Sequence, residues 1–384
     1  MTSGSPGRRA VLIAILAGVG AYPTSACDRG GLNAETPVRI AWTVPLADSD
    51  ASWIGFPAAV GGLFIAETGD ALRAFDAASG RTVWRTQLRT GVPLGTENVA
   101  VAAGRVFAAG GDSVYALDAA SGRRLWAFLP DAQAALAVSA ADSHAVYLGT
   151  RSHRVYALTA ATGAELWSVD LGAAWPYLGI VNGLAVSGDT VYANVMQYLN
   201  AAGGLRTGHV VALHRTTGAE LWRYVGPGAH NDATQAPRVA GRFLLIANVY
   251  AQGSDSGSFF ALDRFTGDVV WRVTTGGIGP GEAPRERDGI VYVGAGDTRV
   301  YAVDLVSGVQ RWSRMTGGSV DAVELCGRAL LVNNLELRVL DPATGRQSQA
   351  ILDGADFPTS AFATSGARAF VVGNHAAYGL ECLQ

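Results

Sequence analysis

The chain of 384 residues contains no lysine; all 29 basic residues are arginine. A Walker-type phosphate loop needs the ammonium of a Gly-Lys pair on the β- and γ-phosphates, so that class is excluded. Schiff-base catalysis and a lysine general base fall with it. Cysteine is scarce, with only Cys27, Cys326 and Cys382, none adjacent to another. The histidines form no His-x-x-x-His pair and no Cys-x-x-Cys accompanies them, so zinc has no signature here. A net charge of −3 lacks the basic surplus that sequence-independent nucleic-acid binding requires, so no nucleic acid is expected as a partner. What is abundant is glycine, at 49 residues, and hydrophobic side chains, at 49%, which describe a folded, turn-rich chain.

The first residues read as an export segment. Arg8 and Arg9 precede an apolar run from Ala10 to Ala21, followed by small residues before a cleavage point. The run is shorter than the roughly 20 residues a permanent membrane helix needs. Thr24-Ser25-Ala26-Cys27 resembles a bacterial lipobox, in which the cysteine is lipidated and becomes the mature N-terminus; leucine is usual where Thr24 stands. Ordinary cleavage after Ala26 is the alternative. The arginine pair also allows twin-arginine export, and Asp28 resembles an inner-membrane retention signal. The expected organisation is a signal peptide over 1–26, a linker over 27–37 and one domain over 38–384. In an oxidising compartment Cys326 and Cys382 form a disulfide or remain as two buried thiols; spacing does not choose.

A repeat organises the rest. It reads Asp76-Ala-Ala-Ser79-Gly80-x-x-x-Trp84 and returns around Trp126, Trp167, Trp222, Trp271 and Trp312. A seventh copy, Asp341, Thr344 and Gly345, has Gln349 where tryptophan is expected. His214 takes the turn-aspartate position of its copy and reads as a local turn residue. Alternating runs such as Ser113–Asp118 precede each turn, and the tryptophan run follows it, giving a hairpin. The aspartate can cap the turn, and the glycine supplies the positive φ that closes it. A further hairpin upstream makes four antiparallel strands per unit of about 40–45 residues, the signature of a propeller blade.

This pattern resembles the PQQ-type propeller repeat found in quinoprotein alcohol dehydrogenases and in BamB-type outer-membrane assembly lipoproteins. The resemblance covers about residues 38 to 384 and implies an all-β propeller. Three strands follow the seventh copy, within Ala361–Cys382, and Val38-Arg-Ile-Ala-Trp42-Thr-Val44 has the tryptophan-strand pattern with no hairpin before it. The N-terminal strand is therefore expected to complete an eighth blade. A seven-bladed ring would leave both segments unpaired, with open edges that invite aggregation. Trp42, Trp84, Trp126, Trp167, Trp222, Trp271 and Trp312 are expected to dock neighbouring blades.

Quinoprotein enzymes carry adjacent cysteines against the quinone and a calcium set of Glu, Asn and Asp. This chain lacks the cysteine pair, so no catalytic residue is assigned, PQQ is not expected and no cofactor is required. Polar residues just before the inner strands, Glu97, Asn98, Asn182, His230, Asp232, Glu282 and Asp321, suggest an acidic funnel able to hold calcium or a basic partner. The alternative is a channel mouth that is merely wet. Two long connections, Met196–Gly208 with Tyr198 and Tyr250–Gly257, and the segment Trp175-Pro-Tyr177, are expected to form a partner-binding lip. The resulting expectation is an exported, lipid-anchored, non-catalytic scaffold contacting an envelope protein such as a β-barrel assembly machine. A solute- or metal-binding sensor is second and a PQQ-dependent dehydrogenase relative third.

Overall fold

The computed structural model describes residues 37–46, 56–68, 71–88, 99–110, 112–130, 136–173, 175, 177, 179–200, 206–226, 236–248, 257–276, 283–352 and 361–384. Cys27 and the export segment, Glu97, Asn98, His230, Asp232, Tyr250 and Glu282 lie outside the described residues. Every element in the described part is a strand, and the strands form eight four-stranded antiparallel sheets. Blades 1 to 7 span 58–87, 99–128, 136–170, 179–225, 238–274, 285–315 and 322–352. Blade 8 takes Ala363–Ser365, Arg368–Val372 and Ala376–Cys382 and receives Val38–Pro45 as its outer strand. The pairing runs from Val38 opposite Cys382 to Pro45 opposite Ala376. The protein is an eight-bladed propeller closed by its own N-terminal strand.

The core is divided into eight apolar layers, each shared by two adjacent blades. Val106 and Tyr115 of blade 2 pack with Ile65 and Leu72 of blade 1, for example. The layer between blades 8 and 1 joins Trp42 and Phe370 to Phe64 and Phe75. No blade could bury both its faces alone, so the sheets are stable only in the ring.

The tryptophans fix the spacing between blades. Each of the seven packs its indole against the turn glycine of the next blade, from Trp42 on Gly80 to Trp312 on Gly345. The indole N–H also donates to a backbone carbonyl of that blade, at 2.8–3.1 Å. Across its own hairpin, each of the six tryptophans of blades 1 to 6 faces an alanine: Ala74, Ala116, Ala157, Ala212, Ala261 or Ala302. Trp42 faces Gly379. A larger partner would occupy the volume the ring needs.

The turns follow their sequence chemistry. Asp76 Oδ1 accepts from the Ser79 backbone N–H at 2.8 Å and from its hydroxyl at 2.7 Å, while Gly80 has φ +73°. These hydrogen bonds hold the Asp76 carboxyl below the ordinary range. In blade 4, His214 Nδ1 lies 3.1 and 3.2 Å from the Thr216 and Thr217 hydroxyls, so it caps the turn as aspartate does elsewhere.

Antiparallel order gives the ring two unlike faces. One, the turn face, carries the tight turns between first and second strands and between third and fourth strands. It also carries the start of Val38–Pro45 and the end of Ala376–Cys382. The opposite loop face carries the remaining hairpins and the connections from blade to blade.

Candidate functional site

The first strands of the blades surround a central cavity of about 440 Å³. Its walls are mostly small and apolar, including Phe56, Ala100, Ala140, Leu184, Ala236 and Phe362. Among the described residues lining it, Arg238 and Arg285 are the charged ones. Arg285 Nε donates to Glu324 Oε2 at 2.8 Å, and both side chains are largely buried. The sequence held a signal for these cations that the acidic-funnel expectation passed over. Ala236-Pro237-Arg238 and Ala283-Pro284-Arg285 are the same tripeptide at the same place in blades 5 and 6.

Of the expected funnel residues, Asn182 and Asp321 lie in the described part. Asn182 is half-buried and is the bulged residue of Gly179–Ser187, between the pairs Val181–Val195 and Gly183–Asn194. Asp321 lies exposed on the loop face, where desolvation by the surrounding protein raises its carboxyl above the usual range. Its backbone N–H donates to Asn333 O at 2.9 Å. Calcium takes six to eight oxygen ligands. Among the described residues lining the cavity there is no carboxylate, and Arg238 and Arg285 are the charged side chains.

The loop face between blades 3 and 4 is built around Trp175. Its ring centroid lies 4.9 Å from that of His209 and 5.7 Å from that of His153, with the Arg223 guanidinium 5.8 Å away. Gly172 and Gly179 leave the space for the indole; a Cβ on either would fall within 2.8 Å of it. His153 is anchored in turn by Asp170, Nδ1 to Oδ1 at 2.7 Å. His209 is 5% exposed, with Nε2 2.9 Å from Gln197 Oε1. Burial, with the nearby Arg223 charge, pushes its pKa down to about 4. Trp175 is thus a pinned, half-buried platform, and Tyr177 beside it is exposed.

One expected connection is corrected. Thr190–Tyr198 and Arg206–His214 are nine-residue strands paired along their whole length, with Met196 opposite Gly208 and Tyr198 opposite Arg206. Alternation in Val-Tyr-Ala-Asn-Val-Met-Gln-Tyr continues the ladder, so Met196 is buried in a strand and Tyr198 ends one. The connection shrinks to 199–205. Cys326 and Cys382 are bonded, with Cα atoms 5.8 Å apart, and they join blade 7 to blade 8.

Fold and repeat together define a propeller of the PQQ-type repeat class. The chain matches the family described as "Outer membrane protein assembly factor BamB" over residues 37–198, 151–247 and 206–374, and it belongs to that family. Among solved structures, it is similar to BamB from Moraxella catarrhalis, with 16% identity and a TM-score of 0.63 over 90% of this chain and 99% of that one. It is also similar to the quinohemoprotein alcohol dehydrogenase ADHIIG from Pseudomonas putida HK5, with 16% identity and a TM-score of 0.67 over 91% of this chain and 77% of that one. The enzyme from Comamonas testosteroni gives 16% and 0.68 over 90% and 76%. At these identities the likeness concerns the fold. No curated protein matches the chain in sequence.

Proposed function

We propose that this chain is a non-catalytic envelope scaffold that holds a partner protein on its loop face, at Trp175 and Tyr177. The observation that carries the reading is the Trp175 platform. An aromatic ring pinned by His153, His209 and two glycines beside an exposed tyrosine presents a rigid apolar contact on a wet rim, the composition typical of interface cores. The family supports an address in the envelope and a partner engaged in outer-membrane protein assembly. A lipid on Cys27 would hold the scaffold at a membrane.

The test is a photo-cross-linker at Tyr177 in the full chain, expressed in cells and recovered from membranes. Recovery of a β-barrel assembly protein, lost on Trp175→Ala, is the expected result. Cross-links that persist unchanged in Trp175→Ala would remove the platform from the reading. A second reading, a solute-binding sensor, draws on the central cavity. It is lined by mostly small side chains with Arg238 and Arg285, the latter paired with Glu324, and the anionic group of a small solute would meet Arg238. Native mass spectrometry of the purified chain would reveal such a solute as added mass; an unliganded mass would count against it.

A further inference from the structure

The repeats provide an internal control for surface chemistry. Two residues after the turn aspartate position, the blades carry Ala78, Ala120, Ala161, Thr216 and Ala343, but blades 5 and 6 carry Phe265 and Val306. Phe265 is 66% exposed and Val306 67%. Neither residue is needed to make the turn, since alanine serves in four other copies. Immediately after the turn glycine, Val309 of blade 6 is 63% exposed, where blades 1, 2 and 7 have Arg81, Arg123 and Arg346.

These apolar side chains stand on the same face of two neighbouring blades. Trp271 follows directly on Val269 and Val270, both exposed, and its indole N–H donates to Leu305 O while its ring covers Gly308. The Asp304–Val309 turn of blade 6 is thereby held against the outer strand of blade 5. The Arg264 guanidinium lies 4.8 Å over the Phe265 ring and donates to Ser187 Oγ, so the ring stands at the tip of a braced turn.

We propose that the turn face of the propeller rests on a lipid surface, with Phe265, Val306 and Val309 entering the headgroup region. Three observations favour a bilayer as occupant. The patch lies on the face where the Val38–Pro45 strand begins, the end of the described ring nearest Cys27 in the sequence. Ten residues, 28–37, separate Cys27 from the strand, and a fully extended chain of that length spans at most about 35 Å. On the same face the apolar blades and their neighbour carry exposed Arg242 in blade 5, Arg311 in blade 6 and Arg346 in blade 7, the first two paired with the turn aspartates Asp263 and Asp304. Cations thus stand beside the aromatic and aliphatic tips as in interfacial anchors on anionic lipid. The proposal extends the scaffold reading, because a turn face on the membrane leaves the Trp175 platform, on the opposite face, pointing away from it.

The experiment uses the full chain with Cys27→Ser, tethered through an N-terminal histidine tag to vesicles of phosphatidylglycerol, phosphatidylethanolamine and a nickel-chelating lipid. With Cys326 bonded to Cys382, an added Thr266→Cys is the sole free thiol and takes an environment-sensitive dye. Quenching of that dye by acyl-chain-brominated lipid, at least threefold stronger than for a dye at Tyr177→Cys, is the expected result. Phe265→Ala with Val306→Ala and Val309→Ala, residues that other blades carry at these positions, should abolish the difference without unfolding the chain. Equal quenching at both labels, or quenching unchanged in the triple variant, overturns the proposal. So does shielding of the Thr266 dye that appears only when an envelope protein is added, which would make the patch a protein contact. Whether Cys27 carries lipid is read separately from the mass of the mature N-terminal peptide, and a negative answer there leaves the vesicle result standing.

Discussion

Cys326 in blade 7 is bonded to Cys382 in blade 8 at the seam where Gln349 replaces the docking tryptophan. The other seven seams have an indole on a turn glycine. Blade 8 cannot offer that glycine, because its third and fourth strands come from opposite ends of the chain and share no turn. The disulfide and the hydrogen bond from Arg328 N–H to Leu383 O, at 2.8 Å, hold this seam instead.

Reducing the bond, or replacing both cysteines with alanine, should therefore loosen the ring at blades 7 and 8. For a sequence separation of 56 residues, chain entropy alone predicts a loss of about 4 kcal/mol. Thermal unfolding with and without reductant checks this, and an unchanged midpoint would show that the seam holds without the covalent link.

The glycine contacts give a matched pair of substitutions. Gly163 and Gly188 both have positive φ, +73° and +58°. A Cβ on Gly163 would lie 2.6 Å from the Trp126 ring, whereas one on Gly188 meets nothing within 4 Å. Gly188→Ala should cost only the backbone penalty, about 1–2 kcal/mol, and Gly163→Ala clearly more. Equal losses by denaturant titration would mean that the indole contact contributes nothing.

His209 links stability to pH. Its folded pKa of about 4 lies below the model-peptide value of 6.5, so between those values the unfolded chain binds the extra proton. Stability is full above about pH 6.5 and falls as the pH drops towards 4, by on the order of 3 kcal/mol. The groups facing the ring are Arg223 and Glu220 on the outer strand of blade 4, Gln197 on its second strand, and Trp175 from the connection after blade 3, with His153 behind that indole. In His209→Gln this part of the pH dependence should vanish, leaving the losses at lower pH where Asp76, Asp118 and Asp263 take up protons.

The Arg285–Glu324 pair should behave as a buried ion pair. Glu324→Leu alone leaves Arg285 charged in a largely buried place and should cost about 3–5 kcal/mol, whereas Arg285→Met with Glu324→Leu should cost much less. A double variant as unstable as the single would show that the lost stability comes from packing.

Blade number, strand order and the docking role of the tryptophans were legible in the repeat, because each blade writes its turn and its wedge in a fixed local spacing. The closing strand was legible for the same reason, since Trp42 carries the pattern without its hairpin. Residues whose role depends on another blade were not. Trp175 read only as part of a binding lip, without its supports, because nothing near it in sequence announces His153 and His209. Met196 read as loop because the length of a ladder depends on what its partner strand does. Arg238 and Arg285 became neighbours of one cavity only when the first strands of the blades converged.

The sequence by itself determined the architecture: a local turn, a wedge and a count. Tertiary structure alone decided which cysteines meet, what charge lines the channel and which face carries the apolar tips. Those depend on the angle at which a flat repeat closes into a ring, and closure brings together residues separated by most of the chain, as it does Trp42 and Phe370.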